Sequence, residues 1–204
     1  MALQSKISII VILYANNRLR EELGKWNWLV LRIYGKGSPD LFKDLIMPSK
    51  QNRRKKRPAR VLMYSHDSFG LGHLRRCREI AHSLVESTSQ LSVLILSGSP
   101  IIGNFDFRTR VDFVRIPGVI KLRNGDYTSL SLHLDIEETL ELRESIIRHT
   151  ADTFDPDLFI VDKEPWGLRG EVKQTMEMLK ARNTPLVLGL RDVMDEPAAL
   201  APEW

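Results

Sequence analysis

The sequence predicts an α/β fold built on a parallel sheet with helices on both faces, and three observations support this prediction. From residue 60 onward, short apolar segments alternate with longer segments of helical periodicity. The apolar segments are almost continuously hydrophobic, as strands buried on both faces are. Glycine, proline and aspartate separate the segments, as they do at turns. With 204 residues, 43% of them apolar, the chain is long enough for one substantial core.

The first half of this alternation predicts three strands and one helix. Residues 61–65 form the first strand, and a helix over residues 71–87 follows because its apolar residues recur on one face. Residues 92–96 and 111–116 are the next two strands. Cys77 lies on the apolar face of the helix and is predicted to be a core residue. Because it is the only cysteine, an internal disulfide is excluded and a reducing compartment is indicated.

The second half predicts two helices and two further strands. A long helix covers residues 135–154, and an Asp-Pro-Asp turn then introduces a strand over residues 158–161. A helix over residues 170–182 and a strand over residues 186–190, preceded by a proline, complete the pattern. Strands alternating with helices in this way favour the strand order of a Rossmann-like domain over residues 60–204.

The first 59 residues differ from the rest in charge. They carry 13 Lys and Arg against 4 Asp and Glu, whereas residues 60–204 carry 17 against 22. The basic run over residues 50–58 is typical of an exposed linker. The apolar runs at 7–14 and 26–34 are shorter than the roughly 18–20 residues of a membrane span. We therefore expect residues 1–59 to be a basic leader, peripheral to the folded domain or disordered.

The basic leader also suggests two kinds of partner. A basic run beside apolar segments favours peripheral contact with an anionic lipid surface, in a protein of the cytoplasm or of the inner face of the membrane. The alternative is contact with nucleic acid through residues 53–57. Because the predicted domain is net negative and contains no recognised nucleic-acid module, we expect no nucleic-acid partner.

A glycine turn lies between the first strand and the first helix. Gly70 and Gly72 flank Leu71, and His73 follows. Backbone N–H groups at such a helix start can face an anionic ligand, and histidine titrates near neutral pH. The turn lacks the third glycine of a dinucleotide motif and the Gly-Lys-Ser/Thr of a P-loop, so a purely structural turn is an equal alternative.

The carboxyl ends of the predicted strands collect the polar residues of interest at one edge of the sheet. In parallel α/β sheets ligands bind at this edge. His66 follows the first strand, and Asp162 and Glu164 follow the fourth, so we predict that they contact a substrate. Trp166 is interpreted either as a platform for stacking a sugar or as a hydrophobic cap on the sheet.

Other polar residues are given structural interpretations. His82 is predicted to be a surface or boundary residue of the first helix. Arg143 is placed, with the glutamates of the long helix, on a solvated face. No Cys/His cluster has the spacing of metal ligands, so we expect neither a metal nor a cofactor.

Three segments together resemble a known family. Residues 64–76 (YSHDSFGLGHLRR) resemble the first loop of predicted glycosyltransferases of the two-domain GT-B fold, which are related to glycosyltransferase family 28. Residues 155–165 (DPDLFIVDKEP) and 188–197 (LGLRDVMDEP) strengthen the resemblance. It covers most of residues 60–204, and the leader has no counterpart in it.

The resemblance implies an acceptor-side, amino-terminal domain. Such a domain receives a lipid or glycan hydroxyl, while a carboxyl-terminal domain holds the nucleotide-sugar that donates a hexose-type sugar. Gly70, Gly72 and His73 match the loop in the cleft, and His73 would be the general base. The helix start would stabilise the donor diphosphate.

The resemblance also implies a second domain of similar size, which these 204 residues do not include. We therefore expect the chain to be a truncated or incomplete transferase, inactive without that domain. The alternative is a non-catalytic remnant or binding module for an anionic ligand.

Overall fold

The structure is a computed structural model. It describes the backbone of Ile9–Tyr14 and Trp28–Ile33, and residues 57–67 and 71–191.

A seven-stranded sheet forms the centre of the fold, and five of its strands are parallel. The strand order is β2-β1-β9-β8-β3-β4-β5. Taken in chain order, the five parallel strands lie 3-2-1-4-5, which is the order of a Rossmann-like sheet. The predicted fold class is therefore confirmed. The strands of this sheet are β1 (Ile9–Tyr14), β2 (Trp28–Ile33), β3 (Ala59–Ser65), β4 (Leu91–Ser97), β5 (Val111–Arg115), β8 (Leu158–Asp162) and β9 (Leu186–Arg191).

Three helices cover the sheet, and they lie where the sequence predicts them. They are α1 (Gly72–Ser87), α2 (Ile136–Phe154) and α3 (Lys173–Ala181). The α2 helix begins with a capping box, in which Asp135 accepts a hydrogen bond from the backbone of Glu138 and the Glu138 side chain accepts one from the backbone of Asp135. It ends at Asp155, which adopts the left-handed conformation (φ 46°).

The alternation of β3 divides the core between the two faces of the sheet. Val61 and Met63 pack on one face with the apolar side of α1, including Cys77, which is 1% exposed. Leu62 and Tyr64 pack on the other face, in the layer that contains Ile147 of α2. Successive strand residues point to opposite faces, so a run that is apolar throughout requires helices on both. The prediction that Cys77 is a core residue is confirmed.

The basic leader supplies two strands at the edge of the sheet. β1 pairs antiparallel with β9, and β2 pairs antiparallel with β1. Residues 50–56 of the basic run lie outside the described residues. Arg57, the last cation of the run, is 22% exposed and donates to the carboxylates of Asp155 (3.0 Å) and Asp157 (3.1 Å). The division into a leader and a domain at residue 60 stays a prediction.

A short hairpin after β5 was not predicted. It consists of β6 (Val119–Lys121) and β7 (Tyr127–Ser129), paired antiparallel. Its strands have three residues each, too few for alternation to be seen. The Asn124-Gly125 pair, with Gly125 at φ 94°, is the local signal for such a turn.

His82 was predicted to be a surface or boundary residue of α1, and the structure rules out the surface position because the residue is 7% exposed. The side chain packs edge-on against Phe107, and its Nε2 accepts a hydrogen bond from the backbone of Arg108 at 3.3 Å.

Within the described ranges, no helix is both long and apolar enough to cross a membrane.

Candidate functional site

The candidate site lies where the order of the parallel strands reverses. β3 and β8 are neighbours, with Tyr64 opposite Val161, yet their following connections lead to opposite sides of the sheet. In sheets of this order, such a separation marks the crevice at the carboxyl ends of the two strands as the usual ligand position. His66 directly follows β3. Asp162 is the last residue of β8, and Glu164 lies two residues after it.

His73, Asp162 and Arg76 form one group, which we call the open cluster. Nδ1 of His73 lies 2.5 Å from Oδ2 of Asp162, and Arg76 donates to the other carboxylate oxygen. The side chains are 13%, 4% and 11% exposed. Nη2 of Arg76 also lies 3.4 Å from Nδ1, but the shorter contact is with a carboxylate, which only accepts hydrogen bonds, and it assigns a proton to Nδ1 of His73. When the ring carries only that proton, Nε2 keeps its lone pair. Among the described residues, no hydrogen-bond partner of Nε2 is found.

The start of α1 explains how this geometry arises. His73 and Arg76 are three residues apart, so they lie on the same face of the helix. The first turn of α1 has no acidic residue, and its N-cap position has no side-chain hydrogen bond. A cation near a helix start is unfavourable because of the helix dipole. Asp162, reaching across from β8, offsets that cost by binding Arg76.

His66 and Glu164 form a second imidazole–carboxylate pair in the same crevice. Nε2 of His66, whose side chain is 1% exposed, lies 3.1 Å from Oε1 of Glu164, and Nζ of Lys163 lies 3.0 Å from the same oxygen. Burial opposes ionisation of Glu164, but its hydrogen bonds and opposite charges lower its pKa to about 2. Glu164 is therefore a carboxylate throughout the neutral range, and His66 must donate to it.

Asp67 follows His66 and lies beside the end of β4. Its Oδ2 accepts a hydrogen bond from the Ser97 hydroxyl at 2.5 Å, and the same Ser97 oxygen accepts from the backbone of Ser99 at 3.1 Å. Burial raises the pKa of Asp67, while the hydrogen bond from Ser97 opposes this rise. The pair ties the loop after β3 to the loop after β4.

Arg143, Glu171 and Tyr64 form a further group, which we call the sealed cluster. Arg143 binds Glu171 through two hydrogen bonds of 2.6 and 2.5 Å, and both side chains are 1% exposed. Tyr64 donates to Glu171 at 2.5 Å, and its own oxygen accepts from the backbone of Leu168 at 3.1 Å. Burial, and then the charge of Glu171, raise the pKa of Tyr64 well above its ordinary value.

The sealed cluster corrects the prediction that Arg143 lies on a solvated helix face. Its spacing along α2 matches that of the apolar residues, since it is four positions before Ile147, so it faces the sheet. It stays charged there because Glu171 supplies a matching carboxylate. Glu171 lies in an irregular turn, where periodicity gives no signal.

The remaining predicted residues are placed as follows. Gly72 is the exposed first residue of α1, and Gly70 lies outside the described residues. Trp166 is 45% exposed, with Nζ of Lys173 5.9 Å from its ring centroid, so it does not cap the sheet. Gly167 follows at φ 67°, where an added Cβ would lie 3.1 Å from Val172. No group of three or more metal-ligating side chains is found within the described residues.

Arg76 and the Asp67–Ser97 pair were not predicted from the sequence. The sequence could have indicated Arg76, because it lies three residues after His73 and therefore on the same face of the predicted helix. Ser97 had only its place at a strand end, and its link with Asp67 depends on how the sheet brings distant loops together.

Comparisons with known proteins give distant likenesses only. No protein-family model and no curated protein matches the chain. Among solved structures, the carboxyl-terminal domain of the PF1911 hydrogenase from Pyrococcus furiosus is 13% identical with a TM-score of 0.45, over 71% of this chain and 99% of that one. A UGT transferase from Siraitia grosvenorii, solved with UDP, is 16% identical with a TM-score of 0.41, over 63% of this chain and 27% of that one. Neither likeness assigns a family to this chain.

Proposed function

We propose that this chain is the acceptor-side part of a glycosyltransferase, in which His73 is the general base and Asp162 orients it. The observation that carries the proposal is the 2.5 Å contact between Nδ1 of His73 and the Asp162 carboxylate. This contact holds the ring in the tautomer whose Nε2 accepts a proton. The resemblance of residues 64–76 and 155–165 to family 28-related transferases supports the same assignment.

The reaction transfers a hexose-type sugar from a nucleotide-sugar to a lipid or glycan hydroxyl. The acceptor oxygen forms a bond to the anomeric carbon while the bond from that carbon to the diphosphate oxygen breaks. The hydroxyl proton passes to Nε2 of His73, and the nucleoside diphosphate leaves with the electron pair. Asp162 stabilises the imidazolium that forms, as a carboxylate behind a base does. A general base contributes about 10²–10⁴-fold to such a step.

The other residues of the crevice hold the acceptor and the base. Arg76 compensates the charge of Asp162, so that this carboxylate remains an acceptor for His73. Gly72, at the start of α1, lets a substrate approach the backbone closely, and Gly70 is assigned the same role from the sequence. Glu164 borders the same crevice, and its carboxylate accepts a hydrogen bond from the buried His66 ring behind it.

A transfer assay tests the proposal. The chain is incubated with UDP-, GDP- and TDP-hexoses and with lipid extracts or glycans, both alone and with an extract of source cells from which the gene for this chain has been deleted, which supplies any partner polypeptide but no wild-type chain. We expect His73→Ala to lower the rate by about 10²–10⁴-fold. His82→Ala removes a buried histidine of the same helix outside the crevice and is the matched control.

Two results would exclude the proposal. Undiminished transfer by His73→Ala would remove His73 from the mechanism. Binding of nucleotide-sugar or acceptor without turnover, in the presence as well as in the absence of the extract, would indicate a non-catalytic binding module.

A further inference from the structure

A row of three aromatic rings connects the sealed cluster to the open cluster. Tyr64 belongs to the sealed cluster, His73 belongs to the open cluster, and His66 contacts both rings. The rings of Tyr64 and His66 meet at a centroid distance of 6.4 Å and an angle of 60°. The rings of His66 and His73 meet at 5.7 Å and 78°. Both contacts are edge-to-face, the arrangement that aromatic rings favour. We call these three residues the ring column.

The Tyr64 end of the ring column is fixed by the sealed cluster. Tyr64 is fully buried and makes two hydrogen bonds through its hydroxyl, one donated to Glu171 and one accepted from the backbone of Leu168. Arg143 holds the Glu171 carboxylate from the other side with two hydrogen bonds. Moving the Tyr64 ring would leave the buried Glu171 carboxylate with one hydrogen-bond partner fewer, which is unfavourable.

The middle of the ring column is fixed by Glu164. His66 is buried and must donate through Nε2, because the low pKa of Glu164 keeps the carboxylate ionised. The backbone N–H of Glu164 in turn donates to the carbonyl of Asp162 at 2.9 Å. Glu164, which holds His66, and Asp162, which orients His73, therefore belong to the same turn at the end of β8.

We propose that His66 is a positioning residue for His73. This inference rests on the proposed role of His73 as the base. Asp162 fixes one atom of the His73 ring, Nδ1, and a ring held at one atom can still tilt about that contact. The ring of His66, which meets the ring of His73 at 78°, limits this tilt, so the direction of the Nε2 lone pair is set by two contacts instead of one. Since a displacement of about 1 Å can cost 10²-fold in rate, such a constraint affects the chemical step.

The test combines a spectroscopic measurement and a kinetic one on the full chain. Nitrogen-15 NMR at about pH 8, where an unperturbed imidazole is neutral, reports which His73 nitrogen carries the proton. It is recorded for wild type and for the His66→Ala, His66→Phe and His82→Ala variants. The same proteins are then compared in the transfer assay, with kcat and KM for the acceptor measured separately.

We expect His66→Ala to shift and broaden the His73 ring signals, because the ring can then tilt about Nδ1, and to lower kcat by about 10–100-fold with little change in KM. His66→Phe retains a ring at the position and should recover most of kcat. His82→Ala, which removes a buried histidine elsewhere, should leave the His73 signals and kcat at wild-type values. Should His66→Ala fail to fold, Glu164→Gln, which weakens the hold on His66 without opening a cavity, takes its place with the same expected effects.

Wild-type His73 signals and an unchanged kcat in His66→Ala, or in Glu164→Gln where that variant replaces it, would overturn the inference. The proposed function fails in a different way. If His73→Ala transfers sugar at the wild-type rate, His73 is not the base, whatever His66 does. If His73→Ala is inactive while His66→Ala behaves as wild type, only the positioning role is excluded.

Discussion

The sealed cluster and the open cluster are built from the same kinds of group, an arginine, a carboxylate and an aromatic ring, yet they differ in what they leave available. In the sealed cluster, Arg143 and Glu171 are each 1% exposed, and the Tyr64 hydroxyl both donates and accepts a hydrogen bond. In the open cluster, His73 is 13% exposed and uses one ring nitrogen on Asp162. The comparison shows that similar groups stabilise the fold when every one of them is paired. They become suited to acid–base chemistry when one basic atom, here Nε2 of His73, is left without a hydrogen-bond partner among the described residues.

The sealed cluster also joins loops that follow different strands. Arg143 donates to the carbonyl of Pro117, after β5, and to Glu171, in the connection after β8. At Gly98, after β4, an added Cβ would lie 2.8 Å from the Arg143 guanidinium, so the arginine packs against the backbone there. The crevice is thus bordered by loops that one buried side chain holds together.

Removing Arg143 should have the largest effect on stability. Arg143→Met leaves the Glu171 carboxylate buried without its main partner, and breaking a buried pair in this way costs about 3–5 kcal/mol. Urea denaturation measures the loss. Arg148→Met changes an exposed arginine of the same helix, and its effect should stay within about 0.5 kcal/mol. Equal stability of the two variants would mean that the sealed cluster does not stabilise the fold.

Replacing Asp162 should affect the rate more than the fold. In Asp162→Asn the amide can donate to Nδ1 of His73 and favour the wrong tautomer, so we expect kcat to fall by about 10²-fold or more. The transfer assay measures this. Asp152→Asn alters an exposed aspartate paired with Arg182 and should keep the wild-type rate. A wild-type rate in Asp162→Asn would separate Asp162 from the function of His73.

Glu164 gives the crevice a pH dependence at acidic pH. Its folded-state pKa, about 2, lies below the ordinary value of 4.5, so its contribution to stability is present above pH 4.5 and is lost as the pH falls toward 2. Because Lys163 is 41% exposed, we expect this contribution to be only about 1–2 kcal/mol. The free energy of unfolding of wild type and Glu164→Gln, measured between about pH 6 and pH 3, should converge on acidification. A constant difference would contradict the pairing.

Removing His73 should have the smallest effect on stability. The ring is partly exposed, and Arg76 still binds Asp162 in its absence, so His73→Ala should change the free energy of unfolding by about 1 kcal/mol or less. Thermal or urea denaturation beside Arg143→Met gives the comparison. A loss as large as that of Arg143→Met would show that the open cluster is structural.

The fold was predictable from the sequence because its signals are local. The apolar run of β3 and the facial periodicity of α1 each lie within a few residues, and both appear where expected. His73, Asp162 and Glu164 were placed at one edge because parallel strands share a direction. Arg143 was misplaced because charge alone favours solvent, and its partner Glu171 is 28 residues away in an irregular turn. The contact of His66 with His73 depends on side-chain orientation at the crevice, which sequence spacing does not specify.

Measuring which nitrogen of the neutral His73 ring carries the proton tests most directly whether Nε2 is available as a base. Nitrogen-15 NMR of the wild-type chain at about pH 8, with His73 assigned by comparison with His73→Ala, distinguishes the two protonation sites of a neutral imidazole. The structure predicts a single form with the proton on Nδ1, facing Asp162, and an unprotonated Nε2. A proton on Nε2 would place the lone pair of the neutral ring on Nδ1, which faces Asp162 and not an acceptor hydroxyl, and would contradict the assignment of His73 as the base.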